Sequence, residues 1–285
     1  MDKPLTTAHT LLQRIGRLSV VIPAFNEEAR LPSALEDISA FLRSAGIDFE
    51  IVVVDDGSTD NTRVLLGRLE AGNPQLRSIH LSRNRGKGAA VKAGVLAAVG
   101  SLVLFTDADQ STSIDQLSRL VAPMIEDGFH IAMGSRALAA SRIVVSQKWY
   151  RQLLGKGFGR ITRLLLVRGF GDCQCGFKCF RADAARRIFM NVTSDSAIFD
   201  MEVMYLAARE AFTVAEVAVE WRHDPDSRLS YNFPRAIGLL RELLRMRRHW
   251  KVRLPLRVMV TKYGPPASEA LRDGLTEAKP IRVQN

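Results

Sequence analysis

The sequence has no long apolar run of the kind that crosses a membrane. Its most apolar window, Ala89–Phe105, is interrupted by a lysine and two glycines and leads directly into Asp107. Such a pattern indicates a helix followed by a buried strand rather than a membrane span. The N-terminal residues also lack an apolar core and a small-residue cleavage site, so we expect no secretory signal.

Cysteine is scarce, and its placement does not favour a metal site. The chain has three cysteines, Cys173, Cys175 and Cys179, and no further cysteine or histidine lies near them at ligand spacing. A structural zinc ion needs four ligands. We therefore expect reduced thiols in a cytosolic protein.

Two common glycine-rich nucleotide motifs are missing. No G-x-G-x-x-G follows the first predicted strand, which disfavours a dinucleotide-binding Rossmann enzyme. The glycines of Asn84–Gly88 (NRGKG) do not have the spacing of a P-loop, which disfavours an ATPase of that type.

Positive charge is abundant and concentrated. The net charge is +10, which suits nucleic acid, an anionic membrane or a phosphate-bearing substrate. No acidic residue occurs from Arg136 to Gly171, and a second basic cluster spans Arg241–Arg257. Both segments carry leucines and aromatic residues, which favours a membrane-surface contact, the alternative being core helices with a solvated basic face. No nucleic-acid-binding motif is recognisable.

The first half of the chain alternates short apolar runs with segments of helical periodicity. This order predicts an α/β fold with a mostly parallel, doubly wound sheet. The predicted strands are Leu18–Pro23, Phe49–Val54, Ser78–Ser82, Ser101–Phe105 and His130–Gly134. In the second half, Val214–Trp221 alternates like a half-exposed strand, and Ala236–Trp250 is typical of a basic amphipathic helix.

The same patterns predict four segments. Residues 1–17 are an N-terminal extension and residues 18–235 the catalytic domain. Residues 236–263 form a basic amphipathic C-terminal segment, and the polar residues 264–285 are a flexible tail.

Acidic and amide residues follow three of the predicted strands. In a parallel sheet these strand ends share one edge, where ligands bind. Asp107 and Asp109, separated by one residue, have the donor type and spacing to hold Mg²⁺ or Mn²⁺ together with a diphosphate. Lys87 supplies the complementary charge, and the glycines beside it would let backbone approach a phosphate, the alternative being an ordinary solvated loop.

At this point the residues resemble a known family. Ser19–Glu28 (SVVIPAFNEE), Val53–Asp60 (VVDDGSTD), the NRGKG and TDAD segments and Gly134–Arg136 follow one another as in family 2 glycosyltransferases. DCQCGF and FDME further on are similar to the branch with dolichyl-phosphate glucosyltransferases and dolichol-phosphate mannose synthases. The resemblance implies a GT-A nucleotide-diphospho-sugar transferase fold.

The resemblance also implies roles for individual residues. Lys87, Ser227 and Arg228 would hold the diphosphate, Asp107 and Asp109 would flank the metal, and Arg136 would face the acceptor phosphate. The donor's base and ribose would be surrounded by Pro23, Ala24, Asn26, Glu27, Asp55 and Asp56. One departure is Ser111, where mannose synthases tend to carry a metal-binding Gln, which disfavours GDP-mannose as donor.

The chemistry of the acceptor decides which further groups are needed. A hydroxyl acceptor needs a general base, for which Asp200 and Glu202 are candidates, although acidic residues are also common at helix starts. A phosphate acceptor is already an anion and needs orientation instead. We expect an inverting enzyme at the cytoplasmic face of a membrane that moves a hexose, glucose favoured, from a UDP-sugar to a polyprenyl or dolichyl phosphate.

Three alternatives remain at this stage. One is a GDP-mannose-dependent polyprenyl-phosphate mannosyltransferase. Another is a family 2 transferase acting on a soluble or saccharide acceptor. The most remote is a non-catalytic nucleic-acid-binding module.

Overall fold

The computed structural model describes residues 8–145, 161–162, 165–222 and 233–264, and its centre is an eight-stranded sheet. The strands are β1 Leu18–Ala24, β2 Phe49–Asp55, β3 Leu76–His80, β4 Leu102–Thr106, β5 Ile131–Ser135, β6 Arg142–Val145, β7 Val167–Arg168, β8 Phe177–Arg181, β9 Val214–Ala218, β10 Glu220–Arg222, β11 Leu256–Arg257 and β12 Val260–Tyr263. The helices are α1 Ala8–Leu12, α2 Leu31–Ser44, α3 Thr62–Gly72, α4 Lys87–Ala97, α5 Leu117–Glu126, α6 Ala182–Asn191, α7 Phe199–Arg209 and α8 Phe233–His249, with a 3₁₀ turn at Ile114–Gln116.

The order of the strands in the sheet is β12-β9-β5-β8-β4-β1-β2-β3. Every pair is parallel except the two that β8 makes, with β4 and with β5. Two small parallel pairs, β10 with β6 and β11 with β7, lie outside this sheet. The predicted mostly parallel α/β architecture is therefore confirmed.

The first two strands are almost entirely apolar because helices cover both faces of the sheet. In β1, Val20 and Ile22 pack in a core cluster with α2 and α5, while Val21 packs in a second cluster with α4, α6 and α7. In β2, Ile51 and Val53 alternate with Val52 and Val54 in the same way. This alternation is the doubly wound arrangement that the sequence predicts.

The segment Val214–Trp221 differs from its prediction as one half-exposed strand. It divides into β9 and β10, and β9 is buried along its whole length between β5 and β12. Its alternating polar residue, Glu216, is fully enclosed rather than solvated. Hydrogen-bond donors supplied by a distant loop make that burial possible, and a pattern of alternating polarity cannot show them.

Both ends of the described chain pack onto the body of the protein. Leu11, Leu12 and Ile15, from the predicted extension, are buried in the core cluster that includes α5. Near the other end, Leu243 and Met246 of α8 are buried, and β12 pairs with β9. Residues on both sides of the predicted division at 235–236 thus contribute to one sheet, and the predicted tail beyond Gly264 lies outside the described residues.

Among the helices that the structure describes, none combines the length and the apolar content that a bilayer-spanning segment needs.

Candidate active site

The strand order reverses beside β1, and this creates the crevice in which the predicted site residues meet. From β1 the chain proceeds through β2 to β3 on one side, and then returns to place β4 on the other side of β1. Ligands of open α/β sheets bind at the carboxyl ends of strands at such a reversal. The residues that follow β4, β1 and β2 therefore share one edge of the sheet.

Asn26, directly after β1, ties the first loop of this edge to the second. Its backbone has a positive φ of 57°, a conformation that asparagine tolerates better than most residues. Its side-chain oxygen accepts a hydrogen bond from the backbone N–H of Thr59 at 2.7 Å, and its own N–H donates to Ser58 Oγ at 2.9 Å. The loops that follow β1 and β2 are thereby held as one unit.

The other residues predicted at the base and ribose border these two loops. Ala24, which follows Pro23 at the end of β1, accepts a hydrogen bond through its carbonyl from the N–H of Asp56 at 2.8 Å. The carboxylate of Glu27 forms a two-point ion pair with Arg30, with both N–O distances 2.7 Å. Contact of these groups with a bound nucleotide stays a prediction.

Asp55 and Asp56 are both buried, and their carboxylates are bonded within the protein. Asp55 accepts the N–H of Ser58 at 2.9 Å and lies 3.2 Å from His80 Nδ1. Asp56 accepts the backbone N–H groups of Arg85 and Gly86 at 2.8 and 2.7 Å. Asp56 therefore fixes the start of the NRGKG loop.

Four backbone N–H groups in the NRGKG loop and at the start of α4 are bonded within the protein, and the approach of a phosphate to this backbone stays a prediction. Beyond the two N–H groups that bond Asp56, those of Gly88 and Ala89 at the start of α4 both donate to the carbonyl of Asp195, at 2.9 and 3.3 Å. Gly86 has a φ of 114°, and a Cβ there would collide with that carbonyl. Gly86 and Gly88 thus leave room for the backbone of Ser194 and Asp195.

Lys87, the first residue of α4, points its ammonium group at the end of β4. Its Nζ lies 2.7 Å from Asp107 Oδ1 and 5.2 Å from the ring centre of Phe105. Burial lowers the pKa of Lys87, but the carboxylates of Asp107 and Asp200 more than offset this and hold it above its ordinary value. Lys87 is therefore a fixed positive charge beside the Asp107–Asp109 pair.

Gly176 provides the space in which the Asp107 carboxylate lies. The Asp107 N–H donates to the Gly176 carbonyl at 3.2 Å, and a Cβ on Gly176 would overlap the Asp107 carboxylate. Because Gly176 precedes β8, the DCQCGF segment shapes the acidic end of β4. This is a role that its sequence alone does not reveal.

The carboxylates of Asp107 and Asp109 have donor chemistry that fits a hard divalent cation. Both side chains are partly exposed, and Asp109 Oδ1 accepts the N–H of Ser111 at 2.9 Å. Burial and the neighbouring charge of Asp107 raise the pKa of Asp109. A cation bound by the two would relieve this repulsion, and Mg²⁺ and Mn²⁺ both prefer such oxygen ligands.

Asp200 lies in the same charged cluster, paired with a lysine that the sequence analysis did not select. Lys178 Nζ is 2.7 Å from Asp200 Oδ1, donates to the Cys175 carbonyl at 2.5 Å and lies 5.5 Å from the Phe105 ring centre. Both side chains are almost completely buried. Burial raises the pKa of Asp200 although Lys178 opposes this. A lysine inside the short apolar strand FKCFR is the signal that could have revealed such a pair.

Arg136, at the end of β5, is held in place by Asp172. Its guanidinium donates to both carboxylate oxygens, at 2.6 and 3.0 Å, and lies 5.2 Å from the ring centre of Trp221. Burial raises the pKa of Asp172, but the charge of Arg136 outweighs it and leaves that pKa below the ordinary value. About a quarter of the Arg136 side chain stays exposed.

Glu216 binds the backbone beside this pair, and the sequence analysis did not select it. It accepts Ser135 Oγ at 2.6 Å and the N–H groups of Gly171 and Asp172, each at 3.0 Å. The carboxylate thus anchors the loop that carries Asp172.

Glu202 does not have the geometry of a general base. Its side chain is fully buried. Its two oxygens accept four hydrogen bonds, from the N–H and hydroxyl of Thr193, the N–H of Ser194 and the indole N–H of Trp250. A carboxylate enclosed by four donors offers no lone pair toward the crevice. The prediction that Glu202 acts as a base is therefore not supported by its surroundings.

The remaining site predictions concern the three cysteines and the residues Ser227 and Arg228. Cys173, Cys175 and Cys179 are buried free thiols, and burial raises the pKa of Cys179 to about 12. Within the described ranges, no three His, Cys, Asp or Glu side chains are grouped as a metal site would require.

Ser227 and Arg228 lie outside the described residues, so their proposed contacts with the diphosphate stay predictions.

Comparison with known sequences gives a consistent set of relatives. A family model described as Glycosyl transferase family 2 matches residues 19–189. A dolichyl-phosphate beta-glucosyltransferase of Dictyostelium discoideum is 37% identical over 246 residues, which cover 81% of this chain and 73% of that protein. The dolichyl-phosphate beta-glucosyltransferases of Drosophila melanogaster and Homo sapiens are 40% and 34% identical to this chain. Each alignment covers 75% of this chain and 69% of the relative.

Comparison with solved structures supports the fold. Glucosyl-3-phosphoglycerate synthase of Mycobacterium tuberculosis, in complex with UDP, aligns with a TM-score of 0.59 and 18% identity over 86% of both chains. The same synthase in a complex with Mn²⁺, UDP and its product aligns with a TM-score of 0.59 and 19% identity, over 86% of this chain and 84% of the other.

Proposed function

This chain belongs to glycosyl transferase family 2, and from that premise we propose that it transfers glucose from UDP-glucose to a dolichyl or polyprenyl phosphate. The observation that carries the proposal is the sequence identity of 34–40% between this chain and dolichyl-phosphate beta-glucosyltransferases, over about three quarters of this chain. The site geometry adds independent support on the donor side and on the acceptor side.

On the donor side, Lys87 and the Asp107–Asp109 pair provide what a departing diphosphate needs. The Lys87 ammonium is fixed between carboxylates and directed at the carboxyl end of β4, so it is already oriented for an anionic leaving group. Asp107 and Asp109 would hold Mg²⁺ or Mn²⁺, and the bound cation would offset negative charge on the nucleoside diphosphate.

On the acceptor side, the surroundings of Asp200 and Glu202 favour a phosphate over a hydroxyl group. Asp200 is ion-paired with Lys178 and Glu202 is saturated with donors, so neither is free to remove a proton. A phosphate acceptor is already ionised at neutral pH and requires no base. Arg136, oriented by Asp172 and partly exposed, has the guanidinium geometry that binds phosphate.

Two alternatives differ in donor or in acceptor. A GDP-mannose donor would suit a site with a metal-binding Gln at position 111, where this chain has Ser111, so UDP-glucose is preferred. A soluble or saccharide acceptor would share the donor site but would need an ionisable group free to act as base.

The surface of α8 supports a peripheral contact with the cytoplasmic face of a membrane. Ile237, Leu240 and Leu244 recur at helical spacing and are more than a third exposed, and arginines 241, 245 and 248 lie on the same helix. Apolar side chains rimmed by arginine suit an interfacial helix, and each basic residue near an anionic surface contributes about 1 kcal/mol.

A transfer assay with paired donors and acceptors tests the proposal. The full chain is incubated with radiolabelled UDP-glucose or GDP-mannose, with polyprenyl phosphate or a soluble sugar, and with Mg²⁺, Mn²⁺ or a chelator. We expect a lipid-linked glucose product with UDP-glucose and either metal, and little with the chelator. Absence of lipid product with every donor would refute the proposed acceptor, and a mannolipid alone would refute the proposed sugar.

A further inference from the structure

The loop between α6 and α7 caps the helix that carries Lys87. The carbonyl of Asp195 accepts the N–H groups of Gly88 and Ala89, and the Asp195 carboxylate accepts the guanidinium of Arg85 at 2.9 Å. The first N–H groups of a helix have no partner within it, so an external acceptor determines how that end is held. The position of Lys87 thus depends on the position of this loop.

The same loop is held from its other side by Glu202 of α7, which Trp250 contacts in turn, and by Glu242 of α8. Glu202 accepts the N–H groups of Thr193 and Ser194 at 2.9 and 2.8 Å, and the indole N–H of Trp250 donates to Glu202 at 2.7 Å. Ser194 Oγ donates to Glu242 of α8 at 2.5 Å. A continuous set of hydrogen bonds therefore runs from the end of α8 to the start of α4.

Glu202 is suited to this connection because it is fully buried. Hydrogen bonds to a charged group in a low-dielectric interior are stronger than those in water, and losing one donor leaves an unsatisfied lone pair. Trp250 is also in contact with Tyr205 and Arg209, with ring-centre distances of 6.0 Å and 4.8 Å. Its ring is therefore fixed independently of the bond that its N–H makes.

We propose that Glu202 and Trp250 are positioning residues for the donor: they hold residues 193–196 against the start of α4, and so fix the Lys87 ammonium where the diphosphate binds. This inference rests on the proposed function. It replaces the role of base that the sequence suggests for Glu202, and it gives Trp250 a role in donor binding 163 positions along the chain from Lys87.

The substitution Trp250→Phe tests the proposal with little disturbance, since it keeps an aromatic ring and removes only the N–H donor. We expect the Kd for UDP and the KM for the donor to rise about fivefold, the equivalent of one modest hydrogen bond. Values of kcat and of the acceptor KM should stay within about twofold of the unchanged chain. Amide hydrogen exchange should accelerate at Gly88 and Ala89.

Tyr263→Phe is the matched control. It removes a hydrogen bond of similar kind, from Tyr263 Oη to Asp127 at 3.0 Å, that also ties the C-terminal region to the body of the protein. Asp127 directly follows α5, which packs in a different core cluster from α4, α6 and α7, so this variant should leave donor binding and the exchange of Gly88 and Ala89 unchanged.

Glu202→Gln provides a second, stronger test. In either orientation its amide NH₂ faces an N–H donor, that of Trp250 or those of Thr193 and Ser194, and the negative charge is lost as well, so donor affinity should fall further than in Trp250→Phe. Glu210→Gln, which removes the same charge at the opposite end of α7 from an exposed ion pair with Arg187, is its control. If Glu202→Gln does not fold, Trp250→Phe still decides the question.

Two negative results have different meanings. If the unchanged chain binds neither UDP nor UDP-glucose, the proposed function fails and this inference fails with it. If the unchanged chain binds and transfers while Trp250→Phe behaves like Tyr263→Phe, the positioning role is refuted and the proposed function stands.

Discussion

The two halves of the sheet place their charged side chains in different ways. Around β1, β2 and β4 most acidic residues lie at or after strand ends, with Glu50 inside β2 as an exception, and Asp107 and Asp109 remain partly exposed at the crevice. Around β5, β8 and β9 the charges lie within elements and are enclosed, as with Lys178 and Glu216 in the middle of strands. The first half thus leaves two carboxylates partly exposed at the crevice, beside buried ones such as Asp56 that hold its loops, whereas the enclosed Glu216 of the second half only holds its own loop.

If this contrast is correct, removing a strand-end carboxylate should abolish chemistry without unfolding the protein. We expect Asp109→Asn to lower the rate of transfer by about a thousandfold. The substitution removes a carboxylate proposed to hold the cation that offsets negative charge on the leaving diphosphate. Thermal unfolding should change little, since a partly exposed strand-end carboxylate contributes little packing. Asp115→Asn, at an exposed position a few residues later, is the control and should remain active. Full activity of Asp109→Asn would refute its role.

Arg136 tests the boundary between the two halves, because the Asp172 carboxylate holds it within the protein while the proposed function assigns it to the acceptor phosphate. We expect Arg136→Ala to raise the acceptor KM by about tenfold to a hundredfold through loss of a charged hydrogen-bond pair. The donor KM should stay the same, as measured by varying each substrate in turn. Since the change leaves Asp172 unpaired, Arg136→Lys serves as the charge-preserving variant. Equal losses for donor and acceptor would contradict the assignment.

The exposed surface of α8 allows a test of membrane binding, for which we expect a smaller effect. Replacing Leu240 and Leu244 with Asp removes exposed apolar area and adds charge of the wrong sign for an anionic bilayer. We expect binding to vesicles of anionic phospholipid, followed by cosedimentation, to fall by about tenfold or more. The exposed Val64 of α3 is the comparison site. If Val64→Asp reduces vesicle binding as much, α8 is not the contact surface.

The smallest expected effect concerns the pH dependence of stability. The pKa of Asp172 is lowered in the folded protein, so its ionised form contributes stability above its unfolded pKa of about 3.9. That contribution is lost as the pH falls through the lower, folded pKa. Unfolding by urea at pH 7, 5 and 3 should therefore show Asp172→Asn less stable than the unchanged chain at the two higher pH values. The gap should close toward pH 3, and a constant gap would show that the charge of Asp172 is not the cause.

The sequence predicts the first half of the site well because one local rule locates it. A buried apolar strand followed by Asp or Asn identifies the edge, and parallel neighbours bring Asn26, Asp55 and Asp107 together without further information. The same rule identifies the strands themselves to within a few residues.

The second half depends on partners that are distant in the chain. Lys178 with Asp200, Ser135 with Glu216 and Arg136 with Asp172 are separated by 22 to 81 residues, and no periodicity links them. A glutamate such as Glu216 therefore appears half-exposed in the sequence, and Glu202 appears reactive. Only the tertiary contacts show that each is saturated with donors.

The antiparallel strand β8 has a consequence for how the protein is made. It lies between β4 and β5, although all of β5 precedes it in the chain. During synthesis the four strands β3-β2-β1-β4 can pair as soon as they emerge, but the outer edge of β4 has no native neighbour until residues 177–181 leave the ribosome. The nascent chain thus carries an unpaired, apolar sheet edge for some seventy further residues, which is the kind of exposed strand that chaperones shield from aggregation.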